Sequence, residues 1–328
     1  MARTESHPAL DDLLAAASSR RPWVPDDTKS GARFERVIID GEQFVLKYQD
    51  PRDDWLLRAT GDSGCRYVLL WEHGLLARLP DVIDSAVVAC AIEDGVGMVL
   101  LRDVSDCLLP PGRPVSHTQH QRFLDHMATM HAAFWDWHDE VGLTPLRTRY
   151  LMFSPEVARA EAARGSSAVV PKVMGEGWDA LTAAAPRLAD VVLPLLDDPE
   201  PLVEALEGVP HTLVHGDWKA ANLGVHADGR TILLDFGETP GEASPIADLS
   251  WYIALNSDLL PESKDEAISA YRAALERHGI STDGWWERAV ALELLGTTVQ
   301  FGWEKALGGP GPELAWWEAR ALEGARWL

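Results

Sequence analysis

The sequence has few cysteines, few lysines and no long apolar run, and each shortage argues against a class of protein. Its three cysteines, Cys65, Cys90 and Cys107, are odd in number and widely spaced, which counts against a disulfide framework or a zinc site. No apolar stretch reaches the length that a membrane-crossing helix needs. Residues 1–21 carry acidic side chains before any apolar stretch, which argues against a signal peptide. We therefore expect a cytoplasmic protein with free thiols.

Positive charge is also scarce, because 29 basic residues stand against 51 acidic ones and give a net charge of −22. This balance argues against binding to a nucleic-acid backbone, which needs clustered lysine and arginine. The charge serves solubility, and it would also attract a cationic substrate to an acidic cleft. At 328 residues the chain has room for one or two domains or lobes.

Residues 23–101 are predicted to form a small antiparallel sheet with one inserted helix. Asp40-Gly41 and Asp94-Gly95 each separate two apolar runs, and Asp-Gly is a strong hairpin signal because both residues tolerate positive φ. A polar arm with a short helix comes first, and residues 49–64 are rich in turn-forming residues. The predicted elements are a helix over 9–19, strands over 34–39, 43–48, 87–92 and 96–101, and a helix over 63–78.

The chain after Asp103 is predicted to be mainly helical. A loop-like stretch with three prolines over 110–114 precedes a long helix from His117 to about Trp137. Its apolar residues recur at helical spacing and predict one buried face, formed by Phe123, Met127, Met130 and Phe134. Further helices are expected over 155–166, 172–186, 198–207, 262–278 and 284–326, with strand fragments at 212–214 and 231–234. Strands followed by helices predict an α+β chain of two lobes, over residues 1–104 and 105–328.

Three polar residues follow two short apolar strands with the spacing that phosphoryl transfer requires. Asp217 precedes Asn222 by five positions and Asp235 by eighteen. Kinases use a carboxylate to accept a hydroxyl proton, then an amide and a second carboxylate to hold Mg²⁺ on ATP. Oxygen ligands of this kind suit a hard cation. Either aspartate alone would be read as a turn or cap residue, but the joint spacing predicts Asp217 as proton acceptor and Asn222 and Asp235 as metal ligands.

Two lysines and a short turn are candidates for phosphate contacts. Lys47 ends a predicted strand and could contact ATP phosphates, although alone it would be read as a surface lysine. Lys219 could neutralise charge on the transferred phosphoryl group, or it could be a solvated loop lysine. Ser30 and Gly31 could offer a hydroxyl and backbone N–H groups to phosphate, and a plain turn explains them equally well.

Several other polar and aromatic residues are interpreted as structural. We expect His215 to fix the loop geometry through a hydrogen bond, and Asp248 to anchor the same loop by accepting backbone N–H bonds. The five histidines at 117, 120, 126, 131 and 138 are interpreted as core or surface residues and not as a metal site. Most of the 14 tryptophans are expected in the core, and one or two could line an acceptor pocket.

With these residues the chain resembles the aminoglycoside phosphotransferase/choline kinase-like family, whose members have a two-lobed protein-kinase-like fold. The resemblance covers roughly residues 30–250 and rests on the segments Phe44–Lys47, Met98–Asp103, Met127–Ala133, His215–Asn222, Asp235–Gly237 and Asp248. Gly216 stands where protein kinases usually have arginine, which favours a small-molecule kinase. The resemblance implies the same roles for the catalytic residues, with ATP phosphates at Lys47 and adenine against the backbone from Leu101 through Asp103 to Val104.

The sequence departs from this family at the partner of Lys47. Family members carry a glutamate on the helix that follows the lysine strand, and it orients the lysine. Arg66 and Tyr67 stand around the expected position, and Glu72 or Asp62 would have to substitute. Glu72 is assigned to the nucleotide site, and which acidic residue pairs with Lys47 stays open.

These features predict an ATP- and Mg²⁺-dependent kinase for a small-molecule hydroxyl, such as an amino sugar, an aminoglycoside or another cationic metabolite. One alternative is a protein kinase, but no Ala-Pro-Glu follows Gly237 and only eleven positions separate it from Asp248. The other is a catalytically silent nucleotide-binding scaffold, which the missing helix glutamate would fit. Neither a nucleic acid nor a membrane is expected as a partner.

Overall fold

The computed structural model describes residues 9–25 and 31–328, and its N-terminal part is built on a five-stranded antiparallel sheet. The two predicted hairpins are confirmed, and their turns have positive φ at Asp40 and Gly41 and at Asp94 and Gly95. The strands are β1 (Ala17–Trp23), β2 (Arg33–Ile39), β3 (Glu42–Gln49), β5 (Val87–Glu93) and β6 (Val96–Arg102). Their order across the sheet is β1-β2-β3-β6-β5, so β3 lies in the middle.

Two helix predictions in this part were wrong in extent. Helix α1 (Leu10–Ala15) does not reach Ser19, because the chain from Ala17 onward pairs with β2 as an edge strand. The helix predicted over 63–78 is broken: α3 (Arg66–Glu72) ends before Gly74, and a 3-10 turn follows. A short helix, α2 (Trp55–Ala59), begins inside the stretch predicted as turns, where the Asp54 carboxylate caps it.

The C-terminal part is helical, as predicted. The predicted apolar face of the first helix is confirmed, since Phe123, Met127, Met130 and Phe134 are buried. One helix predicted over 284–326 is in fact two, separated by the Gly-Gly-Pro-Gly stretch 308–311. The helices are α4 (His117–Ala133), α5 (Leu146–Leu151), α6 (Pro155–Ala163), α7 (Val169–Ala184), α8 (Pro186–Asp197), α9 (Glu200–Leu206), α10 (Ile246–Asn256), α11 (Lys264–Arg277), α12 (Trp286–Leu307) and α13 (Pro312–Gly324). The sequence prediction had no separate α5, α8 or α10.

Five very short strands position the loops that carry the predicted site. They are β4 (Ile83–Asp84), β7 (Thr212–Val214), β8 (Leu223–Val225), β9 (Thr231–Leu233) and β10 (Gly241–Ala243). Strand β10 pairs with β7, while β9 lies between β4 and β8. The loops after β7 and after β9 carry the predicted catalytic and metal-binding residues.

These elements confirm the predicted α+β fold with a small N-terminal sheet and a larger helical part. Strand β4 crosses between the two parts, because it precedes β5 in the chain but pairs in parallel with β9. The lobe boundary between residues 104 and 105 stays a prediction. Over residues 9–25 and 31–328, no helix has both the length and the apolar character needed to cross a bilayer.

Candidate active site

The loop after β7 is held in place by a buried carboxylate on α10, as the sequence predicted. Asp248 accepts the backbone N–H of His215 at Oδ2 (2.8 Å) and that of Gly216 at Oδ1 (2.7 Å). The Nε2 atom of His131 on α4 lies 3.1 Å from the same Oδ2. Burial opposes the charge, but the hydrogen bond with His131 and nearby positive groups keep the pKa of Asp248 below its usual range. The loop is thus tied to two helices through one ionised side chain.

Gly216 is required by the backbone of this loop. Its φ is +83°, and a Cβ built at this position would lie 2.0 Å from the carbonyl oxygen of Thr239. Arg149 on α5 donates to that carbonyl (2.6 Å) and thereby fixes it. A larger residue would therefore meet both a strained backbone and a rigid neighbour.

His215 joins the loop after β7 to the loop after β9 and is not placed to transfer protons. Its Nδ1 accepts the backbone N–H of Asp217 (3.0 Å), so its Nε2 carries the hydrogen and donates to the carbonyl of Leu234 (2.9 Å). Burial lowers the pKa of the ring, which favours this neutral form. The structural role predicted for His215 is confirmed.

The Asp217 carboxylate accepts hydrogen bonds from three side chains. Its Oδ2 accepts from Lys219 Nζ (2.7 Å) and from Asn222 Nδ2 (2.8 Å), so the structure brings three predicted site residues together. Its Oδ1 accepts from the indole Nε1 of Trp251 on α10 (3.0 Å). The sequence did not point to Trp251. Its spacing of three residues from Asp248 makes the two side chains neighbours on the surface of α10, and this signal could have indicated it. Asp217 is 7% exposed, so its position is fixed from several sides.

Lys47 projects from the central strand β3 and meets the loop after β9. Its Nζ lies 2.8 Å from Oδ1 of Asp235 and also forms an ion pair with Glu238. Burial opposes the charge of this lysine, but the two carboxylates outweigh it and raise its pKa well above the usual value. Asp235 has a left-handed φ of 61°, a conformation that costs energy in a non-glycine residue and is concentrated at functional sites.

Neither Glu72 nor Asp62, the two carboxylates that the sequence left open, pairs with Lys47. Helix α3 ends at Glu72, where the side chain is exposed, and it takes no part in the described bonds of Lys47. Asp62 is also engaged elsewhere, because its Oδ2 accepts the backbone N–H of Arg66 and lies 3.6 Å from the Arg66 guanidinium. The partner is Glu238, which the sequence reasoning did not single out.

The remaining nucleotide-site candidates are Ser30, Gly31, Leu101 and Asp103. Ser30 lies outside the described residues. Gly31 lies two residues before β2 with a φ of +111°, and a Cβ there would lie 2.7 Å from the carbonyl oxygen of Asp53. Leu101 is buried in β6, and the Asp103 carboxylate accepts from Gln43 on β3 (2.5 Å). Contacts of Gly31, Leu101 and Asp103 with a nucleotide stay predictions.

The donor set of Asn222 and Asp235 suits Mg²⁺. Asn222 uses its Nδ2 in both described side-chain bonds, to the carbonyl and to Oδ2 of Asp217, which leaves its oxygen for a cation. The Asp235 side chain is partly buried, which opposes its charge, but the nearby Lys47 keeps its pKa below the usual value. The described residues contain no cluster of three or more His, Cys, Asp or Glu suited to a metal. Mg²⁺ fits such a sparse site, since it takes one or two carboxylates and completes its shell with water and phosphate oxygens.

Comparison with known proteins bears on the fold of the chain. No family model matches the chain, and no curated relative is detected. Solved structures do match over almost the whole chain. The ethanolamine kinase of Plasmodium vivax is 13% identical with a TM-score of 0.53, covering 96% of this chain and 84% of its own. The choline kinase LicA from Streptococcus pneumoniae is 15% identical with a TM-score of 0.50, covering 96% of each chain.

The chain has the protein-kinase-like fold. A microcompartment-associated aminopropanol kinase (12% identity, TM-score 0.52) supports this, covering 96% of this chain and 94% of its own. The predicted resemblance is therefore confirmed for the fold.

Proposed function

We propose that the chain is an ATP- and Mg²⁺-dependent phosphotransferase that moves a phosphoryl group to a hydroxyl of a small molecule. The observation that carries this proposal is that four predicted residues meet where two joined loops lie beside strand β3. Asp217 and Asn222 are bonded to each other after β7, while Lys47 is bonded to Asp235 after β9. His215 links the two loops.

Asp217 is the proton acceptor of the proposed reaction, and its hydrogen bonds favour one oxygen. Oδ2 already accepts from Lys219 and Asn222, whereas Oδ1 accepts only from Trp251 among the described residues. A carboxylate oxygen has two acceptor positions, so Oδ1 retains one for the hydroxyl of the acceptor. A positioned base of this kind contributes about 10²–10⁴-fold to the rate.

Cationic groups around Asp217 and Asp235 serve the phosphoryl group. Lys47 has three N–H donors, two of which bond Asp235 and Glu238, so one is left for a nucleotide phosphate. Lys219 contributes a second positive charge beside Asp217. Mg²⁺ held by Asn222 and Asp235 would neutralise charge on the transferring phosphate. Such positioned charges supply most of the catalysis in phosphoryl transfer.

The acceptor we propose is a small alcohol that also carries a positive charge. The segment that protein kinases use for peptide docking is short here, because β10 and α10 begin within ten residues of Gly237. Structural neighbours are described as kinases of choline, ethanolamine and aminopropanol and as an aminoglycoside phosphotransferase, and two of their structures contain AMP or GDP. The net charge of −22 would attract such a cation.

A phosphoryl-transfer screen tests this proposal. The purified protein is incubated with Mg²⁺ and ATP or GTP and with panels of aminoglycosides, amino sugars, macrolides and choline-like alcohols, and the phosphorylated product is detected by mass spectrometry. We expect acceptor-dependent turnover that Asp217→Ala abolishes while nucleotide affinity is largely kept. Asp228→Asn, in an exposed turn, is the matched control. Nucleotide binding without turnover on any acceptor, or full activity of a folded Asp217→Ala variant, would contradict the assignment.

A further inference from the structure

The carboxylate that pairs with Lys47 comes from the loop after β9 and not from helix α3. Glu238 lies three positions beyond Asp235 and is 4% exposed, and its Oε1 bonds Lys47 Nζ. Gln49, two residues along β3 and therefore on the same face of the strand, donates to that oxygen as well (3.2 Å). Two side chains of the central strand thus converge on Glu238.

Helix α3 carries an aromatic ring, and not a carboxylate, at the corresponding place. The ring of Tyr67 occupies it: a Cβ built on Gly237 would lie 2.1 Å from Cδ2 of Tyr67, and Lys47 Nζ is 5.8 Å from the ring centre. The neighbouring helix residue is a cation, Arg66, whose guanidinium donates to the carbonyl oxygen of Glu238 (3.4 Å). The negative charge beside Lys47 therefore lies on the loop after β9, at Glu238, and helix α3 carries a positive charge at Arg66.

We propose that Glu238 is the positioning residue of Lys47, in place of a carboxylate on helix α3. This inference rests on the proposed function, because it assigns Lys47 to the phosphates of a nucleotide. Once Asp235 holds Mg²⁺, Glu238 is the described carboxylate that remains to orient the lysine. The orientation of Lys47 then follows the metal-binding loop, since Glu238 and Asp235 belong to the same short segment.

A double-mutant cycle between Lys47 and Glu238 tests this role. The proteins are the wild type, Lys47→Met, Glu238→Gln and the double variant, with Glu238→Asp as the conservative variant. Glu242→Gln is the matched control, because Glu242 is a partly buried carboxylate four positions further on that bonds histidines away from Lys47. Calorimetry gives the affinity for Mg-ATP, steady-state kinetics give KM for each substrate, and melting temperatures report folding.

We expect Glu238→Gln to weaken Mg-ATP binding about tenfold, as the loss of one charge-assisted bond implies, while KM for the acceptor changes less than about twofold. Glu238→Asp should restore part of the affinity. In the Lys47→Met background, Glu238→Gln should have no further effect on affinity, because it acts through the lysine. Additive effects of the two substitutions, or unchanged affinity in folded Glu238→Gln, would overturn the role of Glu238 and leave the proposed function standing.

The melting temperatures of the proteins in this cycle distinguish a failure of the Glu238 role from a failure of the proposed phosphotransferase function. A wild-type protein that binds no nucleotide would overturn the proposed function, and melting temperatures would then decide the pairing alone. Non-additive losses of melting temperature in the double variant would support the Lys47–Glu238 pair, whereas additive losses would contradict it.

Discussion

Trp251 donates its indole N–H to Oδ1 of Asp217 across 3.0 Å, so a helix side chain fixes one oxygen of the proposed base. The indole is itself immobilised between Phe153 and Phe301, whose rings lie 6.0 and 4.8 Å away. The loop after β7 is therefore braced by an aromatic cluster from three separate segments of the helical part. This brace gives the base a defined direction before any acceptor binds.

Trp251→Phe should lower kcat about tenfold and leave the affinity for Mg-ATP within about twofold. The ring is largely retained, but the hydrogen bond to a charged acceptor is lost, and one such bond corresponds to roughly a tenfold change in rate. Steady-state kinetics at saturating nucleotide measure the effect. Trp285→Phe is the control, because its indole also donates a hydrogen bond, to the carbonyl of Ser281, away from the site. Equal losses in both variants would show that Trp251 acts through general packing.

Asp235→Asn should raise the Mg²⁺ concentration required for half-maximal activity by about tenfold or more. The substitution removes the one anionic ligand of the proposed pair and leaves two neutral amides, which bind a hard cation weakly. A Mg²⁺ titration of initial rates at fixed ATP gives the value. Asp228→Asn should leave it unchanged, since that carboxylate bonds only Arg230 among the described contacts. An unchanged Mg²⁺ dependence would remove Asp235 from the metal site.

Asp248→Asn should both destabilise the protein and lower its activity. The amide cannot accept all of the bonds from His215, Gly216 and His131, so at least one buried donor loses its partner, at a cost of about 3 kcal/mol. Thermal unfolding followed by circular dichroism should show a melting temperature lower by about 5 °C or more. Residual activity should fall at temperatures where the variant is still folded, because Asp217 directly follows His215 and Gly216, whose backbone N–H groups are bonded to Asp248. A variant as stable as the wild type would contradict the anchoring role.

The loops that carry Asp217 and Asp235 could be predicted from the sequence because their signals are local. Asp217 and Asn222 follow one short strand and Asp235 follows another, and the apolar runs already indicate both strands, while Gly216 signals the tight turn after β7. The Asp-Gly turns fixed the two hairpins for the same reason, since the conformation depends on the two residues themselves. Lys47 could be included because its strand is one of those hairpins.

Partners that arise from tertiary packing could not be predicted. Glu238 meets Lys47 across 191 positions, and no local pattern relates the two. The sequence offered only Glu72 and Asp62, on or beside the helix predicted over 63–78, whereas the observed partner lies on a distant loop. Strand β1 was missed because its residues are polar and partly exposed, as suits an edge strand, so it lacks the apolar alternation of an inner one.

A second buried carboxylate lies on α12, and we expect it to make the stability of the protein depend on pH. Glu293 on α12 is fully buried, and its Oε2 accepts from the hydroxyl of Tyr150 (3.1 Å). Its Oε1 has no hydrogen-bond partner among the described residues. Burial raises the pKa of Glu293 to about 7, although the positive charge of Arg149 opposes this shift.

Glu293→Gln should remove a loss of stability that the wild type suffers between about pH 4.5 and pH 7. In that window the native carboxyl keeps its proton while the unfolded one has released it, so the free energy of unfolding of the wild type falls as pH rises. The whole effect is about 3 kcal/mol and is complete above the native pKa. Denaturant unfolding at pH 5 and pH 8 should therefore favour Glu293→Gln over the wild type more strongly at pH 8. Glu287→Gln on the exposed side of α12 should show no such gain, and an equal gain in both variants would place the pH dependence elsewhere.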